Sequence, residues 1–249
     1  MIETPVVVLT GAGISAESGV PTFRGAGGLW RDFKPEDLAT PQAFARDPKL
    51  VWEWYAWRRE MLSKCLPNAA HRALVEMENS LLVADADARS ALAMFTLITQ
   101  NVDGLHEAAG ARHVLRLHGS IWSLRCTREG ARWIDRRVPL PELPPRCPEC
   151  GALARPDVVW FGETLDPAVL HAAQEASARA ATMIVIGTSA IVQPAASLPL
   201  IAKRNGARLV EINPDETPLS VYADEVLRGP AAVELPQWWD ASSLSLSRL

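Results

Sequence analysis

The chain has 249 residues, with 25 Lys and Arg against 29 Asp and Glu for a net charge of −4. That length buries one good core with room for a smaller satellite domain, and the slightly acidic balance argues against nucleic acid, which asks for a basic face. Hydrophobic residues at 48% and charged residues at 22% are the proportions of a soluble globular protein.

Met1-Ile2-Glu3-Thr4-Pro5 has no basic segment and does not read as a signal peptide. Residues 6–9, Val-Val-Val-Leu, form a buried strand that leads into Gly11-Ala12-Gly13-Ile14-Ser15-Ala16, a fit to the turn G-x-G-x-x-G/A. In an ordinary dinucleotide unit a helix and a second strand follow, with an acidic residue about 20 positions on for the ribose. Here the chain instead gives Pro21, Phe23, Arg24, three more glycines and Trp30. Residues 31–66 read as helices rich in Trp and Arg. Helical patterns at 69–78 and 103–109 then alternate with strands at 95–99 and 114–117. Residues 119–156, rich in Cys, Pro and Arg, break the alternation, which resumes with a helix at 167–181, a strand at 183–186, a helix at 195–205 and a strand at 209–212.

Strands alternating with helices predict an α/β fold, a Rossmann-like parallel sheet covered on both faces. The expected large domain is discontinuous, comprising 1–30, 67–118 and 157–236. The helical insertion 31–66 and the zinc-ribbon-like insertion 119–156 are expected to pack together as a small domain. A tail, 237–249, follows, with Trp238 and Trp239 available for docking. The longest apolar stretch, 183–192, is broken by Gly187, Thr188 and Ser189 and is too short to span a bilayer. Four cysteines, two of them in C-x-x-C, suggest metal binding in a reducing compartment, hence a cytoplasmic protein.

Four short stretches sit at or near the ends of predicted strands, where open α/β sheets bind ligands. They are Gly11-Ala12-Gly13, Gln100-Asn101-Val102-Asp103, Gly187-Thr188-Ser189 and Asn213-Pro214-Asp215. Gly11 and Gly13 would let the backbone approach a pyrophosphate, Thr188 and Ser189 offer phosphate donors, and Asn213 would take the ribose hydroxyls. Each alone reads equally as a turn; together they indicate a nucleotide. His71, His106, His113 and His171 read as structural. His118 differs because it follows a strand and precedes the irregular insertion, at the expected cleft, with a side chain suited to general-base work. Cys126-x-x-Glu129 and Cys147-x-x-Cys150-Gly151 resemble the two knuckles of a zinc ribbon, with Glu129 where a thiolate is usual. Two readings stand: a Cys3Glu zinc site, or a module that has lost its metal.

These motifs in order, from Gly11-Ala12-Gly13-Ile14-Ser15 and Thr22-Phe23-Arg24-Gly25 through Gln100-Asn101-Val102-Asp103 and Leu117-His118-Gly119, resemble the sirtuins, NAD-dependent protein lysine deacylases. Residues 155–163 (Arg-Pro-Asp-Val-Val-Trp-Phe-Gly-Glu), Gly187-Thr188-Ser189 and Ile212-Asn213 continue the match. Residues 23–30 and Tyr55-Ala56-Trp57-Arg58, a Y-x-x-R, resemble the class III type, which favours acidic acyl groups.

The resemblance implies that NAD is the co-substrate, with His118, Asn101 and Asp103 catalytic. It further implies NAD contacts from Gly11, Ala12, Gly13, Ser15, Glu17, Thr22, Phe23, Arg24, Trp30, Gln100, Asn101, Val102 and Asp103, and from Gly187, Thr188, Ser189, Asn213, Pro214, Asp215 and Ala231. Acyl-lysine protein would bind as an extended strand against Val158, Val159, Trp160, Phe161, Gly162 and Glu163, with Tyr55 and Arg58 meeting the acyl group. Zinc would sit on Cys126, Cys147, Cys150 and Glu129. The expected enzyme is a monomer without nucleic-acid or membrane partners that removes succinyl, malonyl and also acetyl groups, giving nicotinamide and 2′-O-acyl-ADP-ribose. The alternatives are a deacetylase or mono-ADP-ribosyltransferase of the same fold, and a non-catalytic module that binds NAD or acyl-ADP-ribose.

Overall fold

The computed structural model describes residues 2–22, 34–81 and 94–243. Phe23, Arg24 and Trp30 lie outside the described residues.

Five apolar stretches become the core of a six-stranded parallel sheet. They are β1 (Val6–Thr10), β2 (Phe95–Thr99), β3 (Val114–Arg116), β7 (Thr182–Ile186) and β8 (Arg208–Ile212), joined at the edge by β9 (Glu225–Leu227). The order is β3-β2-β1-β7-β8-β9 and every described pairing is parallel. This is the order of doubly wound dinucleotide-binding sheets, with the chain reversing direction across the sheet between β1 and β7.

Both faces of β1 are covered, which is why its sequence is unbroken aliphatic rather than alternating. Val6 and Val8 pack with α4 (Ala69–Leu81) and α8 (Ala231–Ser243), while Val7 and Leu9 face α6 (Pro167–Arg179) and α7 (Leu198–Arg204). Trp238 and Trp239 are buried in the first of these clusters, and α8 continues through the boundary expected at 236. The helix expected at 195–205 is instead a 3-10 turn, Ala195–Ser197, followed by α7, with Pro194 before the turn and Pro199 opening the helix.

Residues 34–62 form α1 (Pro35–Leu38), α2 (Pro41–Arg46) and α3 (Pro48–Leu62). Each begins on a proline, and the side chains of Thr40 and Asp47 accept from Ala43 N and Leu50 N to cap α2 and α3. These helices pack on a second, antiparallel sheet ordered β5-β4-β6: β4 (Gly119–Cys126), β5 (Arg132–Ile134) and β6 (Ala154–Val158). Trp52 is fully buried between them and donates its indole N–H to Ala154 O at 2.8 Å. Arg59, on α3, has its charged group inside the module. It is buried, donating to the carbonyls of Ile121, Asp135 and Arg137. The two sheets meet at residues 117 and 118, between the end of β3 and the start of β4. At this junction Gly119 has φ +79°, and a Cβ there would stand 2.1 Å from Asp157 O.

Candidate active site

The site is built where the order of the parallel strands reverses. The turns after β1 and β7 touch backbone to backbone: Gly13 N donates to Gly187 O at 2.8 Å, and Gly11 N to Ile186 O at 3.0 Å. A Cβ on Gly11 or Gly13 would come within 2.7 Å of Gly187 or Thr188 atoms. The glycines therefore serve first to let the two turns meet, not only to admit a pyrophosphate. A 3-10 segment, Ala12–Ser18, follows β1 and ends on Gly19 at φ +86°.

Around this contact the polar side chains interlock. Ser15 Oγ donates to Asp103 Oδ2 at 2.8 Å, and Asn101 Nδ2 donates to Gly11 O at 3.0 Å and to Ser15 Oγ at 3.3 Å. Leu105 N, at the start of α5 (Leu105–Ala109), donates to Asp103 Oδ1 at 2.9 Å. Burial pushes the Asp103 carboxyl above the usual carboxylate range against these hydrogen bonds. Gln100 Nε2 bonds Thr188 Oγ1 at 3.0 Å, and Asn213 Nδ2 bonds Thr188 O at 2.8 Å. The ends of β2, β7 and β8 are thereby tied into one rim. Ser189 lies next on that rim, half-buried, while Pro214 and Asp215 are exposed beyond Asn213. Glu17 Oε2 accepts from Ala232 N at 3.4 Å, which brings Glu17 against the start of α8 beside buried Ala231. Thr22 is half-buried at the end of the first described segment, and Val102 is half-buried against the helical module.

His71 and His106, read from sequence as structural, stand directly behind this network. Their ring centroids lie 5.0 Å apart with the planes tilted by 58°. His71 Nε2 is 3.5 Å from Ser15 Oγ, and His106 Nε2 is 2.9 Å from Thr10 Oγ1. Burial drives both imidazoles toward the neutral form, to about 3 for His71 and about 4 for His106. Only a folded chain brings them together, since they come from two helices 35 positions apart in sequence.

His118 hangs at the junction of the two sheets. Its Nδ1 is 2.9 Å from Gln100 O and its backbone carbonyl accepts from Val159 N at 3.0 Å. Burial lowers its pKa, partly opposed by the Gln100 bond.

The small module supplies the facing wall. Val158 ends β6, Trp160 is buried, and Phe161 is 53% exposed beside Gly162 at φ +84°. Glu163 is not free to reach a ligand with its carboxylate: Arg155 Nη1 and Nη2 clamp it at 2.5 and 2.8 Å, and Trp160 N donates to it at 2.9 Å. The Arg155 guanidinium also stacks 3.4 Å over the Trp160 ring. Trp160 Nε1 donates to Tyr55 Oη at 2.9 Å. Tyr55 and Arg58, spaced i and i+3 on α3, do share a face, with the guanidinium 5.7 Å from the Tyr55 ring centroid and 4.8 Å from that of Trp54. Both are buried, and burial raises the Tyr55 pKa and lowers that of Arg58. Arg58 lines a small cavity with Asn101, Val102, Asp103, Ala12 and Val20.

At the far end of β4 the thiols of Cys126, Cys147 and Cys150 lie within 4.8 Å of one another. Three soft thiolates converging on one point fit zinc. The Glu129 carboxylate is not in that cluster, contrary to the four-ligand expectation; the side chain is exposed and it is Glu129 N that bonds Cys126 Sγ, at 3.4 Å.

The Sir2 family model matches residues 11–194. The chain is 52% identical over 235 residues to an NAD-dependent protein deacylase of Aquifex aeolicus (strain VF5), covering 94% of each chain. It is 53% identical over 227 residues to NAD-dependent protein deacylase 1 of Archaeoglobus fulgidus, covering 91% of this chain and 88% of that one. Among solved structures, a mutant Sir2 homologue in complex with ADP-ribose superposes with a TM-score of 0.90 at 49% identity, covering 99% of this chain and 95% of that one. A Sir2 homologue in complex with NAD gives 0.87 at 48% identity, covering 98% and 91%. The rim of donors at the strand reversal, the small module facing it and these likenesses agree: the chain belongs to the Sir2 family and is an NAD-dependent protein lysine deacylase.

Proposed function

We propose that the enzyme prefers lysines carrying short acidic acyl groups, succinyl and malonyl, over acetyl-lysine. The observation that carries this reading is the buried Arg58 guanidinium beside Tyr55 on one face of α3, at the edge of a small cavity of about 20 Å³ that Asn101 and Asp103 also line. A guanidinium held there, away from bulk water, favours a carboxylate strongly and bidentately, and a neutral acetyl group gains nothing from it.

NAD brings to the site an electrophilic ribose carbon with nicotinamide as its leaving group. The chain's residues do the rest. Asp103, fixed by Ser15 and Leu105, holds the carboxamide of nicotinamide, and Asn101, fixed on Gly11, orients the ribose or an ordered water. Nε2 of His118 takes a ribose hydroxyl proton, freeing that oxygen to receive the acyl group. The acyl-lysine amide oxygen bonds the ribose carbon as that carbon's bond to nicotinamide breaks, and one water is consumed as the acyl group passes to the 2′-oxygen and the lysine amine is released. Lysine, nicotinamide and 2′-O-acyl-ADP-ribose leave. The peptide lies as an extended strand between residues 158–163 and 189–194, where the exposed side chains of Phe161 and Ile191 offer apolar contacts.

Steady-state kinetics on one peptide carrying succinyl, malonyl, glutaryl or acetyl lysine tests the reading. A higher kcat/KM for the acidic acyl groups is expected; equal or lower values than for acetyl-lysine overturn it.

A further inference from the structure

From Leu209 to Ile212 strand β8 is aliphatic except at Glu211, whose side chain is 1% exposed. Three groups converge on that buried carboxylate: the hydroxyls of Thr217 and Ser220 donate to it, and Arg228 Nη1 lies 3.1 Å from Oε2. The same guanidinium reaches the turn that follows β8. Its Nη1 also lies 3.0 Å from Asp215 O and 3.3 Å from Asn213 O, and Nη2 donates to Ser220 Oγ at 2.8 Å. Arg228 is in place to do this because β9 pairs Leu227 with Ile212, so the residues that follow them, 228 and 213, leave the sheet side by side. Replacing a buried ion pair by packed apolar side chains is often neutral for stability. What this cluster supplies is geometry: it ties two carbonyls of the turn, and through Thr217 and Ser220 its return, to one fixed point in the core.

Asn213 is the residue that this turn presents to the rim of the site. Its Nδ2 spends one N–H on Thr188 O at 2.8 Å, and its Oδ1 spends one lone pair on Asp215 N at 3.2 Å. A side-chain amide has two of each, so among the described residues one donor and one acceptor remain, the complement of a pair of ribose hydroxyls. We propose that Arg228 is a positioning residue for NAD: by holding the turn 213–217 on Glu211, it fixes the Asn213 amide where it meets the adenosine ribose. The reacting end of the site, at Asp103 and His118, is carried by the chain after β2 and β3. Arg228 therefore acts on co-substrate binding and not on the acyl transfer.

Initial rates of the full-length enzyme are measured against NAD and against an acyl-lysine peptide that the wild type turns over, and ADP-ribose affinity is measured by calorimetry. Arg228→Met should raise the KM for NAD and the Kd of ADP-ribose by about 3- to 10-fold, the worth of one neutral hydrogen bond, with kcat and the peptide KM kept. Asn213→Ala should raise both constants too, and adding Arg228→Met to it should cost little more, because the two act through one contact. If Arg228→Met alone does not fold, the unpaired Glu211 charge is removed with it, and Glu211→Gln/Arg228→Met carries the same expectations. A lowered kcat at unchanged KM for NAD makes Arg228 a support of the fold at large and overturns the proposal. So does an unchanged Kd of ADP-ribose, and so do losses that simply add in Asn213→Ala/Arg228→Met.

Discussion

His118 Nδ1 faces the backbone carbonyl of Gln100 at 2.9 Å. A carbonyl only accepts, so Nδ1 carries the proton and Nε2 is left with its lone pair. The bond therefore fixes the tautomer of a general base. Burial keeps that base neutral below the ordinary histidine value. A base with a lowered pKa is lost only at lower pH, so the midpoint of the acid limb of kcat/KM should lie below the ordinary histidine value of about 6.5. His118→Ala should lower deacylation by about 10²–10⁴-fold while NAD binding, followed by fluorescence, persists. Near-normal turnover in the folded variant removes His118 from the mechanism.

Arg58 separates selectivity from catalysis. Hydrogen bonds to a charged group contribute about 1.5–3 kcal/mol each, so Arg58→Met should cost roughly a hundredfold in kcat/KM on succinyl- and malonyl-lysine. Acetyl-lysine turnover should change far less. Tyr55→Phe keeps the ring but removes the oxygen that accepts from Trp160, and a smaller loss in the same direction is expected. Equal losses on all acyl groups would assign both residues to the packing of α3.

The buried pair His71 and His106 makes the fold acid-sensitive. Both have folded pKa values depressed by burial, to about 3 and about 4, against an unfolded value near 6.5. Between pH 6.5 and 4 the unfolded chain binds protons that the folded chain refuses, so stability is full above 6.5 and falls as pH falls. The loss is on the order of 2 kcal/mol per histidine by pH 5. Urea unfolding at pH 7.5 and pH 5 measures it, and His106→Gln should show a visibly shallower pH dependence. A pH-independent midpoint in the wild type would mean that neither imidazole is buried neutral.

Gly187 has no room for a methyl group. Its φ is +59°, and a Cβ would stand 2.4 Å from Ile14 N. Gly206 is also left-handed, φ +94°, but a Cβ there meets nothing within 4 Å. Gly206→Ala should therefore cost only the backbone term, about 1–2 kcal/mol. Gly187→Ala adds the forced separation of two packed turns and should lose more, together with NAD binding. Equal urea midpoints for the two variants would show that the turns can part freely.

Much of this protein is written in short stretches of its chain. The parallel strands are legible because burial on both faces makes each an unbroken aliphatic run, as in 6–9 and 183–186. The site residues Asn101, Asp103, Thr188 and Asn213 are legible because turn-forming polar residues directly after such runs fall on one edge of the sheet. The small antiparallel sheet was not: β5 has only three residues, and β6 contains Arg155, Pro156 and Asp157, whose place in a strand is decided by pairing with β4 and by the Arg155–Glu163 clamp. Nor could local patterning say that Arg59 is buried, since that depends on the carbonyls of Ile121, Asp135 and Arg137, far along the chain, receiving its guanidinium. The same holds for the contact of His71 with His106 and for the closeness of Gly13 to Gly187. Local chemistry chose the elements and the residues at their ends, while contacts between segments far apart in sequence decided which charges are buried and which side chains meet.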